Sequence, residues 1–541
     1  MMHESKAKEA LSKAIVLLLC LGCAMPLVAA EDTVQVSAEL PDLSVSPVLD
    51  IEDGTIKLSL EEAIAIALER NLSLVVERFT QHEADYGILA NRGIYDAFFT
   101  TDLDSLEDAS PTASNLSGAE VQEFAQKNWN FGISQTVNTG GTLTGTWQNN
   151  SQDTNSLFAT LNPSYRIDTD VTFSQPLLRN IGKMATNRNI AIARTNYDIT
   201  KENFEGQVMN IILFVERAYW DLAEARAQFG VAEESKELAL QLHEQNKIRV
   251  EVGTMAPLEL VQSEAGVADR EVEIIRAQAL VGDRMDILRQ LLNLKGELEW
   301  TAPIDPTSDP FKPALKVDVD AAIATALEER PEIRAKKLSI SNQELDTRYF
   351  RNQKKPRLDL TATYGLNGVG GDITDRDFLS GEILGTEDGD YGDAIDQILN
   401  ADFDGWRVAL NFAMPLQNRF AKANVAIADL ALERGMFELD DLELAVTTEV
   451  RRVIRALDAS AEGIVSARVS QRLEERNYEA EKKRYDNGMS TSFQVLRIQE
   501  DLISARSRFV SAVATYRRAL ALHYQSIGRL IEESGVQIVG E

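Results

Sequence analysis

The chain has 541 residues, of which 44% are hydrophobic, and this is enough apolar material to bury a large core. Its 55 basic and 85 acidic residues give a formal net charge of -30. So acidic a chain argues against a nucleic-acid partner, and it disfavours contact with anionic lipid surfaces.

The first 30 residues have the pattern of a secretory signal peptide, so we predict a signal peptide over 1–30. Three lysines precede an apolar run over residues 14–27, and small residues follow it up to Ala30. We expect the mature chain to begin near Glu31. A transmembrane anchor is the weaker alternative, because Gly22 and Pro26 interrupt a run that is shorter than about 20 residues.

Both cysteines of the chain, Cys20 and Cys23, lie inside this segment, so a mature chain cut after Ala30 has no disulfide. A lipoprotein acylated on Cys23 stays open as an alternative. No later stretch approaches 18 uncharged apolar residues, so we expect the mature protein to have no membrane-spanning helix. Any crossing of a membrane would then use strands.

After an acidic N-terminal tail over residues 31–57, the chain repeats itself once. The first repeat, 58–310, opens with an amphipathic helical pattern in which Ser59 and Glu62 have capping-box spacing. The second repeat, 311–529, opens with a similar pattern at 322–333, and a tail over 530–541 ends the chain.

Each repeat contains alternating segments that lead into a proline and then a helix. Strands are predicted around 95–175 in the first repeat, and at 357–366 and 405–413 in the second, with apolar and polar residues alternating. Pro176 and Pro415 mark the predicted strand-to-helix junctions. A soluble β-sandwich is the alternative reading of alternation alone, but here the strands are few and are flanked by very long helices.

The predicted strands are too few for one chain to close a barrel by itself. The chain offers about four clear strands, or six if a hairpin around Thr139–Gly141 is counted separately, whereas a closed bacterial barrel needs at least about eight. Unpaired strand edges in lipid cost several kcal/mol per backbone group, so the barrel has to be shared among subunits. Polar segments at 105–127, 149–163 and 367–405 are expected to be external loops, the last being strongly acidic.

A glycine interrupts the long helical pattern of each repeat, near residue 253 and near residue 488. Pro176 and Gly253 are 77 residues apart, and Pro415 and Gly488 are 73 apart, so the two repeats match in length. The glycines are predicted to lie in the turns of two helical hairpins.

These features together resemble the TolC family of outer-membrane efflux proteins, from about Leu58 to Arg529. The resemblance is carried by the duplicated opening helices, by Gln175–Arg179, by Ala218–Leu222, and by the sequences that follow the two glycines, Leu258–Gln262 and Phe493–Leu496.

The resemblance implies a mainly α fold with a small β part. A long α-helical coiled-coil tunnel would lie in the periplasm, and a homotrimer would share an outer-membrane β-barrel of 12 strands, four per subunit. It also implies a channel of a tripartite efflux or type I secretion system, which conducts substrate passively. Its partners would be a periplasmic adaptor (membrane fusion) protein, an inner-membrane pump and outer-membrane lipid. The alternative is a structural coiled-coil envelope protein without a pore, and a periplasmic adaptor ranks last.

In this family the hairpin turns form a tip that meets the adaptor. The matching residues are Val252, Gly253, Thr254, Met255, Asn487, Gly488, Met489 and Ser490. The tip is also where such tunnels close, and the positions that correspond to the gate are Glu259, Tyr485, Gln494 and Arg497. Gln494 and Arg497 stand where acidic residues are usual, so the resemblance does not extend to a strongly cation-selective entrance.

The sequence gives no support for catalysis, a cofactor or a metal site. The four histidines are isolated, and no P-loop, G-x-S-x-G or H-E-x-x-H pattern is present. The acidic segment 367–405 lacks the spacing of a calcium loop. We therefore do not expect an enzyme.

Overall fold

The computed structural model describes residues 51–52, 54–112, 120–376 and 383–535. The predicted signal peptide, most of the acidic tail and the last residues of the C-terminal tail lie outside these ranges.

The described chain is mainly helical with a small β part, which confirms the predicted fold class. Twelve helices are described: α1 (Leu60–Arg70), α2 (Leu72–Arg92), α3 (Lys183–Thr186), α4 (Arg188–Glu251), α5 (Pro257–Leu291), α6 (Glu297–Thr301), α7 (Val319–Glu329), α8 (Pro331–Gln353), α9 (Tyr391–Asn400), α10 (Arg419–Asp486), α11 (Ser492–Ser526) and α12 (Leu530–Glu533).

The chain forms two compact units, and each unit takes residues from both sequence repeats. The first unit contains Asp85–Thr195 and Ser341–Glu433. The second contains the described part of Glu39–Ala84, with Asn196–Ile340 and the described residues from Arg434 onward. The first unit therefore holds all the strands of the large sheet, and the second holds most of the helical part of each repeat.

The first unit is built on one large antiparallel sheet. Its strands are β3 (Phe98–Pro111), β4 (Val121–Thr136), β5 (Thr142–Thr154), β6 (Leu161–Pro176), β8 (Arg357–Arg376), β9 (Ile383–Glu387) and β10 (Asp404–Ala413). They lie in the order β10-β8-β6-β5-β4-β3, with the short β9 paired to β8. The sheet thus has six long strands, where the family resemblance implies four.

The acidic segment 367–405, expected to be an external loop, contains regular structure. It holds the end of β8, the strand β9 and the amphipathic helix α9. Asp390 caps α9 by accepting the amide N–H of Gly392 at 2.7 Å. Ala394 and Ile398 of α9 are fully buried against Ile167 and Leu366 of the sheet. The strong acidity of the segment hid the short apolar periodicity of this helix.

Glycines on β8 allow α9 to approach the sheet this closely. A Cβ atom at Gly368 would collide with the backbone carbonyl of Ala394, and one at Gly370 would collide with that of Asp390. Gln397 then uses its amide side chain to bond both backbone groups of Val369, at 3.0 and 2.9 Å. Because these two glycines have no side chain, α9 can pack directly against the backbone of β8.

The second unit has a core formed around α1, α4 and α5. Ile64, Ile212, Trp220 and Leu288 are among its fully buried residues. The N-terminus of α1 has the capping box predicted from Ser59 and Glu62. A small sheet of β1 (Ile51–Glu52), β2 (Thr55–Leu58) and β7 (Ile304–Pro306) lies beside this core, with β2 and β7 parallel.

Candidate functional site

The first hairpin turn joins α4 to α5 in the second unit. The amide of Thr254 donates to the carbonyl of Arg249 at 2.8 Å, and the amide of Gly253 donates to that of Val250 at 3.0 Å. This pair of bonds is a Schellman motif, and Gly253 supplies the positive φ, +75°, that it requires. Val252 is 67% exposed at the turn.

The second turn joins α10 to α11 with the same backbone geometry. The amide of Met489 donates to the carbonyl of Arg484 at 2.8 Å, and the amide of Gly488 donates to that of Tyr485 at 3.0 Å. Gly488 has φ +74°. Met489 is exposed, and the Asn487 side chain bonds the carbonyl of Lys483 at 2.7 Å.

Tyr485 is the centre of a buried cluster next to the two turns. Its hydroxyl donates to Oδ1 of Asn246 on α4. Arg249 donates to the Tyr485 carbonyl at 3.2 Å, and its guanidinium lies 4.3 Å from the centre of the Tyr485 ring. Burial raises the pKa of Tyr485. Leu242, Val495 and Met255 pack around the ring, so the cluster ties α10 and α11 to α4.

The other three predicted gate residues occupy different environments. Glu259, on α5, accepts a hydrogen bond from the hydroxyl of Ser492 at the start of α11, and its charge further raises the pKa of Tyr485. The amide of Gln494 donates to the Thr491 hydroxyl at 3.3 Å, which caps α11. Arg497 is exposed.

Four residues in this region were not found from the sequence: Asn246, Arg249, Glu481 and Ser492. Glu481 is only 5% exposed and accepts bonds from Ser490 and from Arg484. A buried Asn or Glu within a long helix has no local motif. Its only sequence signal is a polar residue at a position where the helical periodicity favours an apolar one.

The large sheet of the first unit has two chemically different faces. Residues directly opposite each other on neighbouring strands share a face, and Trp406 lies opposite Tyr364, which lies opposite Val171. Trp406, Leu410 and Phe412 on this face are 77%, 64% and 65% exposed. The other face carries polar residues such as Thr363 opposite Thr172, whose hydroxyls are 3.0 Å apart.

The predicted strand-to-helix junctions lie at the end of this sheet. Pro176 is the last residue of β6, and Pro415 lies between β10 and α10. An asparagine with positive φ follows each proline: Asn180 at +62° and Asn418 at +47°. The backbone N–H of Asn180 donates to Oδ1 of the buried Asn352 at 2.8 Å, so this junction is anchored to the end of α8.

A further polar cluster in the second unit was also missed from the sequence. The guanidinium of Arg517 lies 4.1 Å from the centre of the Trp220 ring and beside an open cavity of about 380 Å³ that Glu216 also lines. Nε and Nη1 of Arg517 have no hydrogen-bond partner within the described part of the chain. Burial raises the pKa of Glu216 to about 7.

None of the helices within the described ranges is both long and apolar enough to cross a membrane. The described residues also include no group of three or more His, Cys, Asp or Glu side chains that could hold a metal ion.

Comparisons with known proteins agree with this architecture. The family model for outer membrane efflux proteins matches residues 136–294 and 322–529. No curated protein matches the chain. Among solved structures, the chain is similar to the CmeC outer membrane channel of Campylobacter jejuni, with 15% identity, a TM-score of 0.60, and coverage of 89% of this chain and 87% of the other.

Two further solved structures give similar values. For the outer membrane protein VceC of Vibrio cholerae, identity is 13%, the TM-score is 0.59, and 87% of this chain and 96% of the other are covered. For the open state of the MtrE outer membrane channel of Neisseria gonorrhoeae, identity is 16%, the TM-score is 0.59, and coverage is 87% and 89%. The chain belongs to the outer membrane efflux protein family, and it is therefore an outer-membrane transport protein and not an enzyme.

Proposed function

We propose that the protein is one subunit of a homotrimeric channel that conducts substrate passively across the outer membrane. A periplasmic adaptor and an inner-membrane pump would deliver the substrate. The observation that carries this proposal is the large sheet of the first unit, which has one apolar face, one polar face and two edges. Among the described residues, the outer sides of β3 and β10 have no strand partner. An open edge is too costly to leave in lipid, so identical copies are needed to close the wall.

Exposed apolar residues on the long helices support the same assembly. In the second unit, Ile275, Leu444 and Val465 are 66%, 65% and 65% exposed. Soluble monomers rarely expose large contiguous apolar patches, whereas helix-to-helix contact between subunits would bury such residues. The alternative of a coiled-coil envelope protein without a pore would explain these helices but not the two-faced sheet.

The two hairpin turns are the proposed contact with the adaptor. Val252 and Met489 are exposed apolar residues at the ends of the turns, where a partner could bury them. In this proposal, Tyr485, Asn246 and Arg249 hold the second hairpin against α4 in the closed state. Release of these contacts lets the second hairpin move and the passage open.

Two measurements on the mature protein in mild detergent test the proposal. Native mass spectrometry should give a trimer, and planar bilayers should show ion-conducting channels. The double variant Tyr485→Phe with Arg249→Ala should raise the conductance, whereas the exposed control Glu244→Gln should leave it unchanged. A monomer in mild detergent, or a trimer that forms no channel with or without the variants, would contradict the proposed function.

A further inference from the structure

We propose that the hairpin β3–β4 is an integral part of the membrane wall, so that each subunit contributes six strands and the trimer closes a barrel of 18. This inference rests on the trimeric channel proposed above. It differs from the 12-stranded wall that the family resemblance implies, and it concerns a segment that the family model leaves almost entirely unmatched, because the match begins at residue 136.

The hairpin continues the sheet without a break. β3 pairs with β4 in one uninterrupted register, from Phe98 opposite Ser134 to Pro111 opposite Val121. β4 in turn pairs with β5, from Phe124 opposite Thr154 to Thr136 opposite Thr142. Both sides of β5 are therefore occupied, by β4 and by β6. A wall of four strands per subunit would require the β4–β5 ladder to separate.

The hairpin also has the two-faced pattern of the other strands. Leu103 lies opposite Trp129, and Thr101 opposite Phe131, which is itself opposite Trp147 of β5. These residues extend the apolar face that carries Trp406 and Leu410 on β10. Leu103 and Phe99 are 71% and 63% exposed in the single chain. Side chains that would be costly in water are what the lipid-facing surface of a barrel requires.

The opposite face of the hairpin is polar. Asp102 lies opposite Asn130, and the side-chain amide of Asn128 donates to the carboxylate of Asp104 at 2.9 Å. These groups would be costly against lipid but suit a water-filled interior. The apolar and polar faces of the hairpin line up with the apolar and polar faces of β5. A hairpin that lay outside the wall would not need this alignment.

The edges of the six-stranded sheet fit this closure. Every neighbouring pair along the sheet is antiparallel, so the two edge strands, β10 and β3, run in opposite directions. β10 of one subunit can then pair with β3 of the next in the antiparallel arrangement of bacterial barrels. With strands about 4.8 Å apart and tilted by about 40°, 18 strands give a barrel about 36 Å across, against about 24 Å for 12 strands.

Cysteine cross-linking in outer-membrane vesicles tests this closure directly. Val408→Cys on β10 is combined in one chain with a cysteine on β3, at Phe99, Thr101 or Leu103, and these positions all lie on the apolar face. A second series combines Val408→Cys with a cysteine on β5, at Leu143 or Trp147. Disulfides form only between Cα atoms about 4.4 to 6.8 Å apart, so each series reports on adjacent strands. Phe173→Cys with Ala362→Cys, a directly opposed pair within one chain, is the positive control for oxidation.

We expect the β3 series to yield covalent trimers in at least one register, and the β5 series to yield none. Covalent trimers from the β5 series would overturn the six-stranded wall while leaving the trimeric channel intact. So would a native trimer that cross-links in neither series although the control pair is oxidised. A monomeric protein would overturn the proposed function and this inference with it. End-on electron microscopy images give a second readout that needs no substitution, since the two ring diameters differ by about half.

Discussion

The two hairpin turns have nearly identical backbones but different side-chain support. Gly253 and Gly488 have φ values of +75° and +74°, and the same two hydrogen bonds close each turn. Around the second turn, Tyr485 is 1% exposed and Glu481 is 5% exposed, and both are bonded to other side chains. The first turn has Val250 where the second has Tyr485, and Val250 is only partly buried.

This difference indicates that duplication preserved the turn itself while the anchoring side chains diverged. A Schellman turn depends on one residue with positive φ, so a glycine at the same place in each repeat is sufficient. Anchoring depends on partners that are distant in sequence, such as Asn246 and Tyr485. We therefore expect the two turns to respond alike to backbone changes and differently to side-chain changes.

The largest difference is expected from truncation of the anchoring residue. Tyr485→Ala removes a buried ring, its bond to Asn246 and its contact with Arg249, and should cost about 3 to 5 kcal/mol of local stability. Val250→Ala, at the matching position, should cost less than about 1 kcal/mol because less apolar surface is lost. Hydrogen exchange at the amides of the last turns of α4 and α10 measures both values. Equal losses of local stability in the two variants would show that the side-chain support of the two turns does not differ.

A smaller effect is expected at the buried carboxylate of the second hairpin. Glu481→Gln replaces the charged acceptor of Ser490 and Arg484, and hydrogen bonds to charged groups contribute about 1.5 to 3 kcal/mol. Local opening at residues 487–491 should therefore be easier by about 2 kcal/mol. The matched control is Glu244→Gln on the exposed surface of α4, where the change should stay within about 0.5 kcal/mol. If the amides of residues 487–491 exchange at the same rate in the two variants, Glu481 does not anchor the turn.

Replacing the glycine of either turn should reduce local stability by the same amount. At both glycines an added Cβ would meet no atom within 4 Å, so Gly253→Ala and Gly488→Ala differ from the parent only in the strain of a positive φ. That strain is about 1 to 2 kcal/mol for a residue with a Cβ atom. Hydrogen exchange at the two turns should show equal losses, and asparagine at either position should restore part of the loss. A difference above about 1 kcal/mol would show that the turns are not equivalent.

The parts of this molecule that could be predicted from sequence are those with local causes. The capping box at Ser59 and the general positions of the strands follow from residues close together in the chain. The ends of the strands were harder to predict. β8 continues beyond the predicted end at residue 366, through Gly368 and Gly370, which break the alternating pattern. Part of the β3–β4 hairpin lies in the segment 105–127 that the sequence predicts to be an external loop, because Glu107, Asp108 and their neighbours are polar or charged.

The contacts around the turns could not be predicted for a different reason. Asn246 and Tyr485 are separated by 239 residues, and Glu259 and Ser492 by 233. Neither pair has a spacing that a single sequence reveals. The resemblance gives both Tyr485 and Glu259 as gate positions, and in the structure each has a different hydrogen-bond partner. Each pairing depends on which faces of the long helices meet, and that is decided by packing rather than by local propensity.

The smallest expected difference lies at the starts of the two following helices. Thr491 caps α11 by accepting the amide of Gln494, and Thr491→Ala should cost about 1 kcal/mol. Ala256 precedes α5 in an extended conformation but has no side chain that can cap it.

Ala256→Ser would create a capping box with Glu259 three residues later, and should stabilise the start of α5 by about 0.5 to 1 kcal/mol. Glu259 already accepts the hydroxyl of Ser492, so the new serine has to compete for that carboxylate. The gain should therefore grow when Ser492→Ala removes the competitor, and hydrogen exchange at residues 257–260 measures it in both backgrounds. If the gain is the same with and without Ser492, Glu259 does not link the two hairpins.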